Sequence, residues 1–311
     1  MLTDARIGQE RFEQALHVGH GSAEGHPRER RRGGVMRKRN ASVSVRRMQL
    51  PYLEGEPRRR FDDWQAETLA RFREELTFAE IRKGAQAVAR LVAEPGPEGV
   101  DLARLSQGRG KRAALATYRA ALRFLTTYHA AQMLFDTATP VARITEVGCL
   151  TGAASAGLAL ALDHPPRLIG LEPSPWCVAE TRLAWRALGL DGQVRRESIT
   201  GRLPAGGAGD LYCLAWLAGL VGDATRRTLL GSLLARRRRG AGLLILEPRT
   251  SQPEGWWRQW SAELGAWDVR EETVRVAIDR PHLVRDMDKA AREDHQVIGA
   301  RVLSAPPGGP R

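Results

Sequence analysis

The sequence predicts an α/β fold: a mostly parallel sheet with helices on both faces, preceded by a helical cap. Three observations predict it. After Pro140, strand-length apolar runs alternate with helix-length segments. The first run ends in Glu146-Val147-Gly148-Cys149-Leu150-Thr151-Gly152 and passes into a helix rich in Ala and Gly. The second ends in Gly170-Leu171-Glu172-Pro173-Ser174, placing an acid twenty residues beyond Gly152, the spacing expected of nucleoside-binding folds.

The chain has 311 residues, of which 42% are hydrophobic and 27% charged, as in an ordinary globular protein. Residues 1–49 hold 11 basic and 5 acidic side chains, half of the formal +12. They read either as a disordered arm that neutralises nucleic-acid phosphates or as a solvated tail without a partner. A start of translation at Met36 or Met48 would remove part of them. Residues 50–136 read as the helical cap. Thr77-Phe78-Ala79-Glu80 is a capping box, and Phe78, Ile81, Ala85, Val88 and Val92 follow on one helical face. Glu94-Pro95-Gly96-Pro97 ends that helix. A second helix runs from about Lys111 to Phe135, and the cap is expected to cover one face of the next domain.

Residues 137–304 carry the alternation. Ile144–Val147, Leu168–Leu171, Val194–Ile199, Leu211–Leu217 and Leu243–Leu246 read as strands, with helices at Gly152–Leu162, Trp176–Leu188 and Ala224–Arg236. Trp267–Val276 and Val297–Leu303 are also strand-like, with no clear helical pattern between them, so they read as a pair closing the sheet edge, at least one member antiparallel. Ala305–Arg311 reads as a frayed tail. No apolar run approaches the ~18 residues of a membrane span, and no apolar signal core opens the chain, so an intracellular, cytoplasmic protein without membrane contact is expected. Cys149, Cys177 and Cys213 are unclustered, which excludes a disulfide framework and a cysteine-based metal site.

In such a sheet, ligands bind where strand order reverses, at the carboxyl ends of the strands. Glu172 is placed there to accept hydrogen bonds from a ribose diol. Gly148-x-x-x-Gly152 is not G-x-G-x-x-G, so the dinucleotide fingerprint fails. Glu-x-Gly-x-x-x-Gly followed by a strand-end Glu instead resembles class I S-adenosylmethionine-dependent methyltransferases, which have a Rossmann-like sheet with an antiparallel seventh strand. The segments Leu76–Gly84, Gly110–Ala114, Leu244–Pro248, Trp256–Trp260 and Asp288–Ala291 with Asp294-His295 are further similar to a bacterial methyltransferase group. That group is related to methyltransferase-like proteins of the mitochondrial small ribosomal subunit.

The resemblance implies S-adenosylmethionine as cofactor, with RNA or the small ribosomal subunit as partner. It places the loop Gly148, Cys149 and Gly152 against the methionine part, Glu146 toward its amino group, and Glu172 with Pro173 at the ribose. Glu197 or Ser198 falls near the adenine. An inert core thiol is the competing reading of Cys149. Leu150 stands where the family carries its central glycine, so its side chain could intrude on the methionine moiety. Neither an amino-methylating Asn/Asp-Pro-Pro-Tyr motif nor a Pro-Cys nucleophile is present, and no general base is marked. Trp256, Trp257 and Trp260 read as packing before base stacking, Arg236–Arg239 as a solvated run at a helix end, and Asp294 and His295 as a candidate hydrogen-bonded pair. Three functions stand: a methyltransferase of RNA or a ribosome-associated substrate, a catalytically degenerate binding protein, and a small-molecule methyltransferase.

Overall fold

The computed structural model describes residues 50–94, 99–249, 255–291 and 293–308. The basic arm, the Pro95–Pro97 helix stop and the last three residues lie outside them. The cap begins with β1 (Leu50–Pro51), α1 (Gly55–Arg73) and α2 (Phe78–Ala93). The capping box of α2 forms: Glu80 N–H donates to Thr77 Oγ1 at 3.4 Å, and Thr77 N–H donates to Glu80 Oε2 at 2.7 Å. After the short α3 (Leu102–Leu105), a long helical stretch comprises α4 (Arg109–Ala114), one π-helical turn (Leu115–Arg119) and α5 (Ala120–Leu134).

The sheet follows as β2 (Arg143–Val147), α6 (Ala153–Leu160), β3 (Arg167–Glu172), α7 (Pro175–Ala187) and β4 (Gly192–Arg196). Then come β5 (Asp210–Ala215), α8 (Asp223–Arg237), β6 (Gly242–Glu247), α9 (Gly255–Gly265), β7 (Arg270–Asp279), α10 (His282–Ala291) and β8 (Val297–Ala305). The strand order is β1-β7-β8-β6-β5-β2-β3-β4. All neighbours pair in parallel except β8, which is antiparallel to both β6 and β7. From β2 onward this is the expected mostly parallel, Rossmann-like sheet, with the late antiparallel strand β8 inserted between β6 and β7. The six residues of β6 are all buried, which is why Gly-Leu-Leu-Ile-Leu-Glu reads as a continuous apolar run and does not alternate.

Two packed layers cover the sheet. On one side α5 lies against α6 and reaches β7 and β8; every side chain of α6 is buried, so its Ala/Gly content reflects close packing under the cap. The other side holds a second apolar cluster, with Leu229, Leu233, Trp257 and Trp260 under α8 and α9. Packing thus claims Trp257 and Trp260, while Trp256 stays half-buried.

The structure corrects the reading of three segments. A helix, α10, does separate the last two strands; its Val284 and Met287 are buried, and it packs on α2 and the π turn. Charged residues fill its other faces, which hid it among polar sequence. Arg237 is not solvated: it donates to the carbonyls of Trp267, Ala241, Pro306 and Gly308. That clamp fixes residues 306–308 beside β6, so this part of the C-terminal segment is held. Finally, His295 pairs with Asp288 and not with Asp294; its Nδ1 lies 2.6 Å from Asp288 Oδ1, while Asp294 accepts from Arg280.

Candidate functional site

Strand order reverses between β2 and β5, so the crevice at their carboxyl ends is the expected ligand position. The loop after β2 is held in a tight, left-handed path: φ is +65° at Gly148, +49° at Leu150 and +69° at Gly152. At Gly152 a Cβ would stand 2.5 Å from Trp185 Nε1 and 2.4 Å from Thr181 Cγ2, so only glycine fits. Trp185 Nε1 donates to Gly152 O at 2.9 Å and locks the turn from below. Leu150 carries the left-handed conformation with a side chain, a strain of roughly 1 kcal/mol. That side chain is buried, its N–H donates to Glu172 Oε2 at 2.9 Å, and its carbonyl accepts from Thr181 at 2.9 Å.

Glu172 ends β3 and is 2% exposed. Its other oxygen accepts from Ser174 N–H at 3.0 Å. Each oxygen therefore spends one lone pair on the loop and keeps one for a ligand. Burial raises its pKa, opposed by those two N–H donors. Ser174 caps α7 and shares a 3.0 Å hydrogen bond with Ser106 of the cap. Arg112 lies over Trp176 at 5.5 Å, so the cap reaches over the β3 side of the crevice. Pro173, between Glu172 and this cap contact, is half-buried.

Glu146 is 1% exposed. One oxygen accepts from Ser155 N–H at 3.0 Å, and the other, Oε1, has no hydrogen-bond partner among the described residues. Burial pushes its pKa up to about 7. The cap answers with an opposite charge. Arg123 of α5 has a buried Nη1 without a hydrogen-bond partner, and burial pulls its pKa down while Glu146, Glu247 and Glu172 pull it back up. Its guanidinium also lies 5.4 Å from the Trp216 ring centroid. Trp216 follows β5 at φ +56°, an outlier for a bulky side chain and a mark of enforced geometry at the crevice.

The remaining expected residues are less central. Cys149 is buried, its Sγ 3.6 Å from Thr181 Oγ1, and burial drives its thiol pKa well up; it is a packed, inert thiol beside α7. Glu197 and Ser198 are exposed on the loop after the edge strand β4, where Glu197 N–H donates to Glu172 O at 3.2 Å. The structure thus brings Glu146, Gly148, Gly152 and Glu172 together, with Glu197 and Ser198 at the rim. Sequence reasoning missed Arg123 and Trp216. A signal for Arg123 existed: it is a lone cation between Leu122 and Phe124 on an apolar helix, and buried cations need partners.

Among the described residues no helix is long and apolar enough to cross a membrane, and no group of His, Cys, Asp and Glu is arranged to hold a metal ion. No family model matches the chain, and no curated protein matches it in sequence. Solved structures do resemble it. The mitomycin 7-O-methyltransferase is 13% identical, with 82% of this chain and 74% of that one covered at a TM-score of 0.46. A SAM-dependent methyltransferase from Geobacter sulfurreducens, solved with S-adenosyl-L-homocysteine, is 19% identical over 60% of this chain and 90% of its own, at 0.37. One from Aquifex aeolicus is 13% identical over 60% and 93%, at 0.38. At these scores the likenesses carry nothing about this chain's chemistry, which rests on its own residues.

Proposed function

We propose that this chain binds S-adenosylmethionine and transfers its methyl group. One observation carries the reading: at the switch-point crevice two buried atoms of oppositely charged groups, Glu146 Oε1 and Arg123 Nη1, have no hydrogen-bond partner among the described residues. An unpaired buried charge is costly and calls for a ligand. A zwitterionic amino acid supplies both complements, its ammonium to Glu146 and its carboxylate to Arg123. Glu172 supplies the free lone pairs for a ribose diol, and the left-handed loop lies between. These residues fit the two ends of S-adenosylmethionine. Bound there, the cofactor would supply an electrophilic methyl group on sulfur; the protein's part is to orient it and exclude water.

The acceptor we favour is RNA or a ribosome-associated substrate. Support comes from the basic composition of residues 1–49 and from the resemblance of the quoted segments to a bacterial methyltransferase group that is itself similar to the ribosomal proteins. From Leu50 onward the chain holds 37 basic and 31 acidic residues, too balanced to mark the folded part as an RNA-binding surface. A specific observation favours a second reading, a degenerate binding protein: Leu150 occupies a left-handed loop position and its N–H already holds Glu172.

Calorimetry with S-adenosylhomocysteine on the wild type, Glu172→Ala and Leu150→Gly separates the two. The enzyme reading expects wild-type binding, weakened at least tenfold by Glu172→Ala. Absence of wild-type binding with rescue by Leu150→Gly establishes degeneration. For the acceptor, deletion of residues 1–47 should flatten the salt dependence of binding to a short random-sequence RNA by roughly 0.7 to 0.9 per lost phosphate contact; an unchanged slope removes the arm from the argument.

A further inference from the structure

The methyltransferase reading leaves a second polar cluster unused. It lies where the π turn of the cap meets the β7–α10–β8 crossover. Asp288 is 1% exposed and accepts from Tyr118 Oη at 2.7 Å, from Arg280 at 2.7 Å and from the His295 backbone N–H at 3.1 Å. Its Oδ1 also lies 2.6 Å from His295 Nδ1. Tyr118 Oη lies 2.8 Å from Glu293 Oε2 as well, and Arg119 grips Glu293 through two hydrogen bonds of 2.7 and 3.0 Å. Burial opposes the ionised form of Asp288, but His295, Tyr118 and Arg280 together hold its pKa down; Arg119 does the same for Glu293.

An aspartate so held fixes the tautomer of its histidine. With Nδ1–H donated to Asp288, the lone pair stands on Nε2. That atom is 3.8 Å from Glu293 Oε2, beyond hydrogen-bond reach. The cluster also stands at the right end of the sheet. Because β8 runs antiparallel to β6, the residues before Val297 lie on the side where the parallel strands finish. Arg119 lies four residues before Arg123 on the same helical stretch, so the cluster and the crevice share one wall. A π turn at that junction is the kind of helical irregularity that recurs at functional sites.

We propose that His295, oriented by Asp288, is the general base that receives the acceptor's proton. This rests on the methyltransferase reading and deepens it, since it restricts the acceptor to a nucleophile with a proton to lose, a hydroxyl or an N–H group. The acceptor oxygen or nitrogen bonds to the methyl carbon as the carbon–sulfur bond breaks, and that bond's electron pair stays on sulfur. The acceptor's proton passes to His295 Nε2. The imidazolium is then stabilised by Asp288 and Glu293 and returns the proton to water. The charged and titratable groups packed around His295 are Asp288, Glu293, Asp294, Arg119, Arg280 and Tyr118.

The test needs no acceptor. The imidazole of His295 is assigned by triple-resonance NMR in the full chain and titrated with saturating S-adenosylmethionine and with S-adenosylhomocysteine. The two ligands differ by one methyl and one positive charge on sulfur. If Nε2 faces the reacting methyl, that charge lowers the His295 midpoint by about half a pH unit or more relative to the neutral thioether. Coincident midpoints, or an imidazole that does not titrate between about pH 5 and 9, overturn the proposal while leaving cofactor binding standing. Failure of both ligands to bind in calorimetry overturns it together with the methyltransferase reading.

Discussion

Two buried polar clusters sit within one helical stretch of each other at the junction of cap and sheet, and they are built in opposite ways. Around Asp288 the polar groups converge: Tyr118, Arg280 and His295 all reach one carboxylate. Around Glu146 they do not converge. One oxygen is held by Ser155, while Oε1 and Arg123 Nη1 have no hydrogen-bond partner among the described residues. Desolvation weighs on both carboxylates, yet Asp288 is held below its usual range and Glu146 is pushed up to about 7. The difference separates a carboxylate whose charge the protein's own groups already compensate, leaving His295 Nε2 as the open atom of its cluster, from a carboxylate whose charge waits for a ligand.

The comparison breaks most readily on stability. Asp288→Ala strands Arg280, Tyr118 and His295 and should lower the unfolding free energy by about 3 kcal/mol or more, read from urea denaturation with an unchanged m-value. Arg123→Met removes a half-buried cation whose Nη1 has no hydrogen-bond partner among the described residues and should leave stability within about 1 kcal/mol of wild type or raise it. Equal losses from the two substitutions would erase the contrast drawn here.

Ligand binding sharpens it next. Arg123→Met should weaken S-adenosylhomocysteine about tenfold or more in calorimetry, in keeping with one lost charge-assisted hydrogen bond of ~1.5 kcal/mol, whereas a purely structural Arg123 predicts no change. The pH dependence carries a definite sign. Burial raises the pKa of Glu146 to about 7 in the folded protein from an ordinary 4.5, so over that range the folded protein holds a proton there that the unfolded chain releases. Its ionisation thus costs stability progressively as pH rises from about 4.5 to 7. A ligand ammonium prefers the carboxylate, so affinity should rise roughly tenfold between pH 6 and 8, with proton release on binding that disappears in Glu146→Gln. The smallest effect is expected below the loop. Trp185→Phe loses one donor to Gly152 O, which Ser155 and Ala156 also approach, and should cost about 1 kcal/mol in denaturant while leaving affinity within a few-fold.

Much of this architecture was legible in the residues. The capping box, the strand–helix alternation and the late antiparallel strand are local or periodic features, and each appears where its pattern placed it. In the site, Gly152 and Glu172 were legible because turn geometry and strand-end spacing are written along the chain. Helix α10 was not, because its burial rests on Val284 and Met287 against a cap more than one hundred and fifty residues earlier. Arg237 shows the same limit: within a run of four arginines nothing in the sequence distinguishes the one that binds four carbonyls.

The sequence by itself determined the layers of the fold, the loop after the first parallel strand and the acid at the end of the second. Periodicity and backbone chemistry suffice for these, since each is settled by neighbours within a few turns. Only the tertiary structure decided which charges meet. Arg123 comes within electrostatic reach of Glu146, and Tyr118 and Arg119 meet Asp288 and Glu293, because a helix from the cap crosses the carboxyl edge of a sheet assembled from residues far along the chain. Whether a buried charge is closed or left open depends on that crossing, which no local pattern encodes.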